Sequence, residues 1–181
     1  MLKVVIPAIE RYDEVKNEFI QSKAKECTLF LEHSLVSLSK WESKWCKPFL
    51  TKGDKSFEES VDYIRCMTTT QNIDPNVYEN ITQENIRQVS EYIEAPMTAT
   101  TISNEKSQIN REIITAEIIY YRMIALNIPF ECQKWHLNRL LMLINVCNIK
   151  NQPPQKRSRK EIMSRNAALN EARKQALNTK G

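Results

Sequence analysis

The sequence predicts an α+β fold that is predominantly α-helical. It reads as a small N-terminal antiparallel sheet, then a helical bundle with a long αα-hairpin, then a basic C-terminal helix. Three observations lead there. Short β-branched or apolar runs dominate before residue 33, whereas apolar residues recur every three or four positions after it. Only two glycines, Gly53 and Gly181, occur in 181 residues. That is too few for a phosphate-cradling loop, a dinucleotide fingerprint or a hairpin-rich sheet protein. The apolar fraction of 41% and charged fraction of 27% are those of an ordinary globular chain, long enough to bury a real core.

Leu2 to Ile6 is β-branched and stopped by Pro7, so it reads as a strand. Polar residues follow, with Asp13 and Asn17 as turn points and Phe19 and Ile20 in a second strand. Thr28 to Leu31 supplies a further strand. Ser34 then caps a helix whose stripe is Leu35, Leu38, Trp41 and Trp45, ended by Pro48. Ser56-x-x-Glu59 is a capping box before Val61, Ile64 and Met67. Asp74-Pro75 pairs an N-cap with an N1 proline, opening a short turn with Val77, Tyr78 and Ile81. Thr82 caps another helix with Ile86, Val89 and Ile93 on one face, ended by Pro96.

Residues 96–106 read as a polar, threonine-rich loop. The most apolar segment, Ser107 to Asn127, follows as a helix with a single polar stripe at Arg111, Thr115 and Arg122. An all-round apolar helix is expected at the centre of a bundle, where Glu117, if buried, needs a partner. Pro129 opens a second long helix to about Asn148, completing the αα-hairpin. Asn151-Gln152-Pro153-Pro154 stops it, and Ser158-x-x-Glu161 caps a helix over 159–177. The expected organisation is a β region over 1–33 and a helical body over 34–150, together one domain. A proline-containing hinge over 151–157 and a basic helix or tail over 158–181 complete it.

Little in the chain points to catalysis. The two histidines, His33 and His136, have no serine or cysteine beside them in a nucleophile motif, and Glu-x-x-His is absent. Structural roles are expected for both, and no enzyme activity or cofactor. Five cysteines, with no C-x-x-C pair, make neither a disulfide framework nor a zinc signature. Cys132 and His136 share helical spacing, but no second ligand pair lies nearby, so no metal is expected. No apolar run reaches the ~18 residues that span a bilayer. A reducing cytoplasm, without a membrane partner, is the expected location.

Charge is unevenly distributed. Residues 150–181 carry nine basic and two acidic side chains, a net +7; the remainder carries 17 basic and 20 acidic ones, a net −3. A basic tail on an acidic body suits a partner-docking arm, a nucleic-acid contact or a solvated helix. The tail lacks interleaved aromatics, which makes nucleic acid the least favoured partner. Its apolar seam, Ile162, Leu169 and Ala176 with Met163 and Ala172 alongside, is too thin for a separate core. Trp41 and Trp45 share one helical face, which serves either core packing or an exposed anchor, since tryptophan is enriched at binding hot spots. Candidate partner-binding residues are therefore Trp41, Trp45 and Trp135 on the body, with Arg157, Arg159, Lys160, Ile162, Arg165, Leu169 and Arg173 on the tail.

Several strings also resemble a family of small proteins of tailed bacteriophages, encoded among the virion-assembly genes. They are LEHSLVSLSKWESKWCKPFL (31–50), VDYIRCMT (61–68), EAPMTATT (94–101), the long stretch REIITAEIIYYRMIALNIPFECQKWHLNRLLMLINVCNIKNQPP (111–154) and the ending RNAALNEARKQALNTKG. They cover well over half of the chain. The resemblance implies a tail assembly chaperone, a helical protein that coats the tape-measure protein before the tail tube polymerises. A structural virion protein of the neck, head–tail connector or baseplate is the alternative. The implied partner is the tape-measure or another virion protein, with a homo-oligomer also allowed. The implied location is the host cytoplasm, or the virion under the alternative. The resemblance brings no catalytic or ligand-binding residue with it.

Overall fold

The structure is a computed structural model. It describes residues 1–8, 10–13, 18–21, 25–51, 53, 55–102, 112–151 and 159–178, with the side chains of 10–13, 18–21 and 161 left aside. It is α+β and predominantly helical, as the sequence predicts. The chain divides into two compact units, Met1–Cys147 and Asn148–Gly181.

The first unit begins with β1 (Leu2–Ile6), paired antiparallel with β4 (Cys27–Leu31) in the register Val4↔Leu29. The period of two sends Val4, Ile6, Leu29 and Leu31 into the core and leaves Val5 and Phe30 exposed. A second ladder joins β2 (Glu10–Asp13) to β3 (Glu18–Gln21), with Tyr12 opposite Phe19. The sequence indicates β3 through Phe19 and Ile20 but gives no sign of β2, whose residues are polar. Asn17 lies outside the described residues.

Helix α1 (Leu35–Trp45) starts where the Ser34 hydroxyl oxygen accepts the Ser37 N–H and the Ser37 hydroxyl oxygen accepts the Ser34 N–H. It ends at Cys46, which takes a left-handed conformation two residues before Pro48. Helix α2 (Phe57–Met67) carries the expected Ser56–Glu59 capping box and buries Tyr63, Ile64 and Met67. Its C-terminus runs beside β4, where Glu32 N–H donates to Met67 O (2.9 Å) and Thr69 N–H to Phe30 O (2.8 Å). A 3₁₀ turn over Pro75–Asn80, capped by Asp74, buries Val77 and Tyr78, and α3 (Gln83–Glu94) is capped by Thr82. Asn85 Nδ2 of α3 donates to Val5 O (3.1 Å), which ties the helix to β1.

The αα-hairpin needs correction. The first of its helices, α4, spans only Ala116–Ala125, and the second, α5, spans Leu137–Asn151 behind a separate 3₁₀ turn at Phe130–Lys134. Helix α4 packs chiefly on α1 rather than on α5. The late start of α4 follows from Thr115, which is extended and ends a β-branched run. The break before α5 has a tertiary cause. His136 pairs with Ser34 as a β-bridge, and Leu137 N–H donates to His33 O at 2.7 Å. This pairing holds residues 135 and 136 out of the helix.

Nor is α4 buried all round. Ala116, Ile119 and Met123 face the core, while Glu117, Tyr121 and Ile124 are exposed. Glu117 thus needs no buried partner. Its own backbone N–H, then the Thr115 hydroxyl, hold its carboxyl below the usual range.

The second unit contains the end of α5 and helix α6 (Arg159–Leu177). Every described side chain of α6 is exposed. The hinge residues 152–157 and the cap Ser158 lie outside the described residues.

Candidate interaction surface

The tryptophans of α1 divide between core and surface. Trp41 is 1% exposed, and its Nε1–H donates to Glu59 O at 3.0 Å. It is a core residue, so the anchor role fails for it. Trp45 stacks on Trp41 (centroids 6.1 Å apart) and is half-buried. Its Nε1–H donates to Asp62 Oδ2 at 2.9 Å. Burial works against the Asp62 carboxylate, but the Lys44 ammonium and the Trp45 indole outweigh it and hold its pKa below the ordinary value. Trp45 therefore forms one wall of an open depression with Phe57, Val61 and Tyr78, bordered by Lys44 and Arg65. Trp135 is also half-buried, with the Arg139 guanidinium 4.2 Å above its ring.

Buried polar groups explain why the body holds together around these faces. Glu42, on the buried side of α1, accepts from Phe49 N–H (2.8 Å) through Oε1 and from Ala116 N–H (2.7 Å) through Oε2. Thr115 makes no side-chain cap, so Glu42 caps α4 from another helix, with its charge at the positive end of the helix dipole. The one sequence signal for this was a carboxylate beside Trp41 on an otherwise apolar stripe. His33 shares a 2.5 Å hydrogen bond with the Tyr63 hydroxyl. His136 Nε2–H donates to Tyr92 O (3.0 Å) while its Nδ1 accepts from Asn138 N–H (3.3 Å). These partners define a neutral imidazole that also caps α5. Among the described residues, no three or more His, Cys, Asp or Glu side chains are grouped to hold a metal. None of the described helices is long and apolar enough to cross a membrane.

Two exposed stripes remain. On α6, Ile162, Arg165, Leu169, Arg173 and Ala176 follow one another at three- and four-residue steps and share a face. Ile162 and Leu169 stay exposed there, with Arg159 and Lys160 in the first turn. Arg157 lies outside the described residues. The second stripe was missed at the sequence level. Tyr121 (70% exposed) and Ile124 (60%) are exposed on α4, and Phe130 (54%), in the following 3₁₀ turn, has its ring centroid 6.4 Å from that of the neighbouring Tyr120. Glu117 lies one turn before Tyr121, and Glu131 follows Phe130; both are exposed. Monomeric proteins rarely leave clustered large apolar side chains in water without an interaction role. This arrangement suits protein–protein docking, and no nucleophile, base and oxyanion donor meet in either stripe.

Comparison with protein-family models, curated proteins and solved structures found no match for this chain.

Proposed function

We propose that this chain is a non-enzymatic assembly factor, a phage tail assembly chaperone that covers the tape-measure protein through helical surfaces. The observation that carries the reading is α6, a 19-residue helix whose apolar seam is wholly exposed between arginines. Such a helix gains stability by laying its seam on an apolar partner. A tape-measure protein is a long helical chain with apolar faces that stay uncovered until the tube encloses it. The outer face of α4 and the Trp45 depression offer further apolar contacts for that client. The resemblance of the strings at 31–50, 111–154 and 165–181 to phage assembly proteins supports the same class.

Mass spectrometry of purified, DNA-filled particles and of infected-cell lysate tests the proposal. The expected result is abundance in the lysate, absence from particles and co-purification with the tape-measure protein. Stoichiometric presence in particles replaces the chaperone with the second reading, a structural protein of the neck, connector or baseplate. The exposed α4 stripe favours that reading, since a virion subunit needs a permanent apolar contact.

A further inference from the structure

The two exposed stripes are complementary in charge. The α6 stripe places apolar Leu169 between Arg165 and Arg173, with apolar Ile162 one turn before Arg165. The α4 stripe places apolar Tyr121, Ile124 and Phe130 between Glu117 and Glu131. One spacing agrees as well. Leu169 stands four residues from each of its two arginines, and Glu117 stands four residues before Tyr121. At the scale of the whole chain, a segment of net +7 follows a body of net −3.

We propose that this chain self-associates head to tail, α6 of one copy lying on the α4 face of a second copy. Leu169 and Ile162 would cover Tyr121, Ile124 and Phe130, and the flanking arginines would meet Glu117 and Glu131. The contact is heterologous, so each copy keeps one free arm and one free face, and association continues until a ring closes or a chain forms. Apolar burial supplies the attraction, and the exposed charges set direction and register. The inference does not rest on the chaperone reading, because purified chain alone is sufficient to test it.

The test is sedimentation equilibrium of the full chain over a range of concentrations. Two variants, Ile124→Asp and Leu169→Asp, each disable one side. Both positions are exposed, so circular dichroism and urea midpoint are expected to match the parent. The parent is expected to gain mass with concentration, and each variant alone to remain monomeric. A mixture of the two is expected to stop at a one-to-one dimer, since the Leu169→Asp copy keeps an intact α4 face and the Ile124→Asp copy an intact arm. Glu117→Arg is expected to weaken association, and Arg165→Glu in the mixed partner to restore part of it. A parent that stays monomeric overturns the proposal, including the case in which α6 settles on its own body. So does association that survives both variants, or a mixture that stays monomeric. A client-binding defect with normal self-association would touch only the chaperone reading.

Discussion

The imidazoles of His33 and His136 meet edge to face inside the core, 5.1 Å between centroids and 66° between planes. They are the only two histidines of the chain, and they bring the end of β4 against the start of α5. Burial, then the nearness of His136, lowers the His33 pKa to about 3. Burial lowers that of His136 too, against the opposing hydrogen bond to Tyr92 O.

That contact makes the fold sensitive to mild acid. An unfolded histidine takes a proton near pH 6.5, whereas native His33 refuses it until about pH 3. The unfolded state then binds more protons in that window, so stability is full above pH 6.5 and falls as the pH drops towards 3. His33 alone is expected to cost about 2 kcal/mol between pH 7 and pH 5. Urea unfolding at both values measures it, above the range where carboxylates titrate. His33→Gln is expected to be less stable at pH 7 but to lose less between the two values. Equal losses in parent and variant would show that another group carries the acid response.

Glu42 is expected to be the most sensitive polar position in the body. Glu42→Ala leaves the buried Phe49 and Ala116 N–H groups without acceptors, each worth roughly 1–3 kcal/mol. Glu42→Gln keeps one oxygen and turns an amide N–H toward the other donor, so an intermediate loss is expected. Amide exchange at Ala116 should rise in Glu42→Ala. Unchanged protection there would rule out the cap.

The two α1 tryptophans are expected to separate cleanly in stability. Trp41→Ala empties a site in the core beside Phe49 and Tyr63, a change that costs about 3–5 kcal/mol. Trp45→Ala removes a half-buried ring and the bond to Asp62, and a smaller loss is expected. Client binding is then tested with Trp45→Ala, since the Trp41 variant confounds folding with recognition. If Trp45→Ala folds and binds the tape-measure protein as the parent does, the depression beside α2 plays no part in docking.

Surface changes on α6 are expected to leave the first unit untouched. Ile162→Asp and Leu169→Asp lie on a helix whose described side chains are all exposed, so the main unfolding transition should move by no more than about 0.5 kcal/mol. A larger shift in thermal or urea unfolding would mean that the seam contributes to the body's stability.

Local rules made much of this architecture legible. Ser34, Ser56 and Thr82 start helices as their spacing predicts, because a cap depends on residues within one turn. Leu35, Leu38 and Trp41 line the core because helical period alone places them together. What stayed hidden depends on distant partners. The break at Trp135 and His136 exists because Ser34 pairs there, and the role of Glu42 exists because α4 begins beside it. The all-round apolar pattern of α4 could not tell which side the body covers, so the exposure of Tyr121 and Ile124 came only from the fold. The α6 stripe, in contrast, was readable in full from Ile162, Arg165, Leu169 and Arg173.

The bond from Leu137 N–H to His33 O joins residues more than a hundred positions apart. At a synthesis rate of about 5–20 residues per second, β4 precedes that partner by roughly 5–20 seconds. Until Leu137 and Leu140 arrive, the buried cluster that includes Leu31 and Leu35 is incomplete. The nascent chain therefore passes through an interval of open hydrophobic surface in which it is itself prone to aggregate, and closure of the His33–Leu137 pair marks the end of that interval.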